Sequence, residues 1–193
     1  MIFDTHSHYD DTAFDADRSE LLSGMHDKGV GWLVDVGADM ASSRAALALA
    51  EQYEFIYCAL GVHPSEAGGL TGADMDWIQE HASHDKVVAI GEFGLDYHWS
   101  EPAPAIQKKW FYRQIGLAKE VRLPIIIHSR DAAADTMNIL TETKAYECGG
   151  VIHCYSYSPE MAKEYVDMGF YIGVGGVLTF KNAKKLKRTV QEI

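Results

Sequence analysis

The chain has 193 residues, 47% of them hydrophobic and 23% charged, which fits one substantial core and a single globular domain over residues 1–193. A formal net charge of −11 excludes tight nonspecific clamping of a nucleic-acid backbone by the general surface, although divalent cations bound in a cleft can invert the potential locally. Cys58, Cys148 and Cys154 form no CxxC pair, which excludes a disulfide scaffold and favours a reducing compartment. No apolar run approaches a membrane span and no basic, apolar leader precedes the first strand, so the expected site of action is the cytoplasm.

Strand and helix signals then alternate with a regular beat. Residues 1–6 read as a short apolar strand, and residues 15–29 as a helix with Leu21, Leu22 and Met25 on one face and Gly29 as its stop. Residues 30–37, 54–64, 86–97, 123–130, 149–156 and 170–176 read as six further strands. Helices are expected between them over residues 40–53, 72–83, 104–122, 131–144 and 158–169, and a last one over 179–193. The strands are brief and nearly all apolar, as parallel strands covered on both faces must be.

This is the pattern of βαβ units with right-handed crossovers, hence an α/β fold and a TIM-like (β/α) barrel. A closed barrel has eight units and takes about 250 residues. Seven are present here, so the eighth strand is missing and two parallel edges are left where it would fit. The longest loop-like segment, residues 98–106, follows the fourth strand.

Residues able to bind metal sit at equivalent places in these units. His6 and His8 end the first strand, His63 follows the third, Glu92 ends the fourth, His128 the fifth and His153 the sixth. In a parallel barrel those ends open on one face, which carries the chemistry. Alternate strand residues point the same way, so His6 and His8 can share one cation, and imidazole and carboxylate suit Zn, Mn and related ions. A single such histidine is more often a satisfied structural residue; the conjunction across separate units is what points to metal. His26, His81 and His84 fall on helices or helix ends and read as solvated, and His98 as a loop residue.

The segments "DTHSHYD", "ALGVHP", "GEFGLDY", "LPIIIHSRDA", "GVIHCYS" and "GVGGVLTFKNA", in this order, resemble the TatD-related metal-dependent hydrolases, near the amidohydrolase superfamily. The resemblance implies a barrel with two divalent metal ions (Zn, Mn or Mg) and deoxyribonuclease activity, often trimming single strands from the 3′ end. By that resemblance His6 and His8 hold the first metal, Glu92 bridges both, and His128 and His153 complete the second. His63 matches a position beside the substrate phosphate. Arg130 either contacts a phosphate or pairs with Asp131 or Asp135. The family pattern continues into a further strand whose aspartate is a first-metal ligand acting on the attacking water, and no residue up to Ile193 replaces it; Asp96 matches a different family aspartate.

The resemblance thus implies a two-metal phosphodiester hydrolase with His63 and Glu92 as catalytic residues and His63 against the substrate, with Arg130 and Tyr157 as further candidate substrate contacts. Single-stranded DNA ends are the expected substrate, with no membrane or identifiable protein partner. Tyr97, Trp99, Tyr155 and Tyr157 either stack on unpaired bases or pack loops, and packing is favoured for Tyr155. The basic run from Lys181 to Arg188 reads as a solvated outer helix face rather than a DNA patch. Two other readings are a hydrolase of small esters, amides or phosphoesters, and a non-enzymatic metal-binding fragment or degenerate paralogue.

Overall fold

A computed structural model describes residues 1–193. Seven strands form one sheet in the order of the chain: β1 (Ile2–Ser7), β2 (Val30–Val36), β3 (Ile56–Leu60), β4 (Val87–Asp96), β5 (Ile125–Arg130), β6 (Gly150–Ile152) and β7 (Tyr171–Ile172). Every neighbouring pair is parallel. Parallel neighbours need crossover connections. Helices α1 (Arg18–Ser23), α2 (Met40–Gln52), α3 (Gly72–His81), α4 (Pro104–Val121), α5 (Ala133–Glu142) and α6 (Pro159–Asp167) supply them, and α7 (Lys184–Glu192) follows β7. No helix is long and apolar enough to cross a membrane.

The sheet is the curled wall of a TIM-type barrel, with no eighth strand among these residues. Only β1 and β7 have a free edge. Period-two alternation divides the apolar residues into two layers. Leu33, Ile56, Phe93, Ile125 and Ile127 face the helices and pack with Phe111, Ile115, Leu140 and Tyr165. Val34, Val36, Ala59, Ala89 and Ile126 face inward. The inner layer borders an apolar cavity of about 430 Å³ that also touches Phe3 on β1 and Tyr171 on β7.

Two irregularities set the site. The β1–β2 register shifts between Asp4 and Ser7, and the β4–β5 register shifts between Ile90 and Phe93. Such bulges re-aim side chains. They are what turn His6 and Glu92 into the barrel mouth. Gly94 lets β4 approach β5 closely: it has φ +152°, and a Cβ there would lie 2.0 Å from the His128 carbonyl oxygen.

Several elements are shorter than the sequence suggests. The helix expected over residues 15–29 is regular only from Arg18 to Ser23, because its N-cap Asp17 makes no side-chain capping bond and Gly24 ends it. The strand expected over 170–176 is reduced to Tyr171 and Ile172 by Gly173, Gly175 and Gly176. That over 149–156 stops at Ile152, where the chain turns into the mouth with Cys154 at φ +44°. The last helix starts at Lys184, after a separate 3-10 turn over Gly176–Thr179.

Candidate metal centre

Glu92 is buried, 5% exposed, and meets no lysine or arginine. Its Oε1 accepts a hydrogen bond from Nδ1 of His128 at 2.8 Å, and Oε2 lies 3.1 Å from Nε2 of His6. The other ring nitrogen of His128 reaches Oδ2 of the buried Asp96 at 3.0 Å. Nε2 of His6 is also 3.1 Å from Nε2 of His8. The rings of His6 and His153 stack with centroids 3.4 Å apart, and the rings of His63 and His128 meet edge to face at 4.1 Å. All six residues that the sequence marks at the strand ends therefore converge on one mouth.

Donor atoms within 4.8 Å of one another form two groups that share Glu92: His6 with His153, and His63 with His128. This division differs from the one that the resemblance implies, in which His153 goes with His128. The residues fit a divalent cation on three counts. A buried carboxylate faces only imidazoles, two imidazole nitrogens stand in mutual contact, and Nδ1 of His6 is buried without a hydrogen-bond partner.

Proton placement follows from the partners. His8 Nδ1 meets the Val36 carbonyl at 2.8 Å, so it carries the proton and leaves the Nε2 lone pair facing His6. His63 is the reverse. Its Nδ1 accepts from the Ser65 backbone N–H at 3.2 Å, which puts the ring proton on Nε2 and makes that atom a donor. Burial, reinforced by the neighbouring His128, pushes His63 down to about 4. Burial does the same to His153, also to about 4. Burial opposes the charged form of His128 as well, but its hydrogen bonds to Glu92 and Asp96 outweigh that and raise its pKa. For Glu92, burial is overcome by the hydrogen bonds from His128 and His6, which hold the carboxyl well below the usual range.

The remaining sequence-marked residues separate clearly. Arg130 is exposed and borders a cleft of about 340 Å³ with His128 and His153. It does not pair with Asp131 or Asp135 as the structural alternative would have it. Asp131 is taken by His98 at 3.4 Å, and Asp135 by Lys108 and the Tyr97 hydroxyl, both at 2.7 Å. The Tyr157 hydroxyl is committed to Ser129 Oγ at 3.0 Å and the Ala132 backbone N–H at 3.2 Å, so it braces the β5–α5 turn. Tyr155 is buried, as expected, and Trp99 is exposed. His26, His81 and His84 bond to Val30, Trp77 and Glu51, away from the mouth. The basic run is engaged on the outer surface: Arg188 pairs with Glu160 and Glu192, and Lys187 donates to the Phe180 carbonyl.

One polar residue at the site has no part in the sequence reading. Asp35 interrupts the apolar run "WLVDVG" yet is fully buried, and that interruption is the signal that could have marked it.

Comparison with known proteins agrees with this geometry. The family model described as TatD related DNase matches residues 3–193. The chain is 48% identical over 193 residues to the uncharacterized metal-dependent hydrolase YabD of Bacillus subtilis (strain 168), covering 100% of this chain and 76% of that one. It is 33% identical over 175 residues to the 3′-5′ ssDNA/RNA exonuclease TatD of Cronobacter sakazakii, covering 91% of this chain and 66% of that one. The crystal structure of YjjV, a TatD homologue from Escherichia coli K12, superposes with a TM-score of 0.92 at 32% identity over 100% of this chain and 74% of the other. A mouth of converging imidazoles around one buried glutamate, on this barrel wall and with these relatives, is that of a metal-dependent hydrolase, and the chain belongs to the TatD related DNase family.

Proposed function

We propose that the protein hydrolyses phosphodiester bonds of DNA, acting at 3′ ends of single strands, with two divalent cations (Zn, Mn or Mg) held by His6, His8, Glu92, His128 and His153. The observation that carries this is Glu92 in contact with His6 and His128 and without a lysine or arginine to neutralise it. Such cations, when bound, supply Lewis-acid polarisation of the phosphodiester and acidify water. The nucleic-acid substrate is favoured by the family description and by the activity named for the Cronobacter relative.

The chain's own residues have distinct tasks in this reading. Glu92 stays ionised and holds its two imidazole partners in place. Neutral His63 donates its Nε2 proton in a hydrogen bond to a phosphate oxygen; its tautomer suits it to that rather than to acting as a base. Arg130, with no carboxylate partner, neutralises phosphate charge at the cleft. Arg130, together with cations bound at the mouth, offsets locally the repulsion expected from a net charge of −11. The three free cysteines suit a cytoplasmic setting.

The test is nucleotide release from a single-stranded oligonucleotide labelled at either end. Release from the 3′ end that stops with chelator and returns with Mn or Mg is the expected result. Turnover confined to small esters would sink the nuclease reading, and metal uptake without turnover of any substrate would sink the enzymatic one.

A further inference from the structure

We propose that Asp35 is the positioning residue for the cation held by His6 and His8. The inference rests on the metal assignment above but concerns a residue that coordinates nothing. Asp35 is 0% exposed and faces no lysine or arginine. A buried carboxylate without a cationic partner is costly and persists only where its hydrogen bonds are needed. All its donors come from the turn carrying His8. Oδ1 accepts from the Tyr9 backbone N–H at 2.6 Å and from Ser7 Oγ at 3.3 Å, and Oδ2 accepts from the Asp10 backbone N–H at 3.1 Å.

The flanking carbonyls of β2 complete the clamp. Ser7 Oγ also donates to the Val34 carbonyl at 2.9 Å, and His8 Nδ1 to the Val36 carbonyl at 2.8 Å. Three successive residues of β2 thus hold four successive residues of the turn, and His8 is gripped on both sides and at its ring. The result is one fixed direction for the His8 Nε2 lone pair, toward Nε2 of His6 at 3.1 Å. A carboxylate is required because both backbone N–H groups need an acceptor. The isosteric amide offers one oxygen and turns an NH₂ group toward a second donor. Groups that orient metal ligands typically alter affinity 10- to 100-fold when removed.

The experiment measures zinc affinity by competition with a chromophoric chelator. It compares wild type, Asp35→Asn, His128→Ala, and His128→Ala combined with Asp35→Asn; the His128 change isolates the ion at His6 and His8. Asp35→Asn should weaken that ion by about 10- to 100-fold while leaving the far-ultraviolet spectrum unchanged. The wild-type background should show one weakened equivalent and one unaltered. Equal affinity with and without Asp35→Asn overturns the proposal. If Asp35→Asn does not fold, Ser7→Ala replaces it, with a smaller weakening expected and an unchanged affinity again decisive against it. A wild-type chain that takes up no zinc refutes the metal assignment itself, a different result from a bound ion indifferent to residue 35.

Discussion

At the scale of single residues, the histidines of the mouth divide by what surrounds them. His63 and His153, half-buried and held at about 4, are neutral at physiological pH, whereas His128 between two carboxylates is raised above the ordinary value. In the metal-free protein, NMR of the ring nitrogens should show the first two titrating near pH 4 and His128 above about 6.5. The unfolded chain takes up protons on residues 63 and 153 near pH 6.5 and the folded one near 4, so their contribution to stability is complete above about 6.5 and is lost as pH falls toward 4. His128→Ala removes a contact to Glu92 and one to Asp96, and should lose bound metal and about 100-fold or more in turnover with the fold retained; metal analysis and an oligonucleotide assay check it. Arg130→Ala, in contrast, should raise KM for DNA by several-fold with kcat little changed, since Arg130 is exposed and is not among the groups that contact Glu92. The strand-end residues are legible in the sequence because a parallel strand fixes where its C-terminal side chains go. For Asp35 the sequence shows only a carboxylate breaking an apolar run; its partners appear only when β2 is laid beside the turn after β1.

At the scale of elements, α4 does more than cover the sheet. Gln107 is 1% exposed and bonds three backbone groups, the Asp96 N–H and the carbonyls of Asp96 and Pro102. Gln114 does the same for both backbone groups of Val62. Two amides on one helix thereby secure the segment after β3 and the end of β4, from which His63 and Asp96 reach the mouth. Gln107→Ala should cost about 2 kcal/mol in chemical denaturation, because it orphans buried backbone groups. The alternation of strands and helices was readable throughout. What was not readable was where regularity fails: the bulges of β1 and β4 and the shortness of β6 and β7 are set by neighbouring strands and by glycines whose φ the sequence alone leaves open.

At the scale of the whole molecule, the flank between β1 and β7 leaves Ile2, Phe3 and Tyr171 more than half exposed beside the inner cavity. Unpaired parallel edges next to apolar surface favour association. Light scattering on the 193 residues should show mass rising with concentration, and a monodisperse monomer over a wide range would contradict this. Yet the mouth is assembled despite the open wall: β1 delivers His6 against His153 from the end of β6, one strand in from the sheet's other edge. An ion seated among His6, Glu92 and His153 would rivet the first strand to the fourth and the sixth. Metal loading would then govern mechanical integrity as well as turnover. At free metal a hundredfold above its Kd, one such rivet adds about 2.7 kcal/mol, so stripping it should lower the melting temperature and loosen the hoop at its seam first.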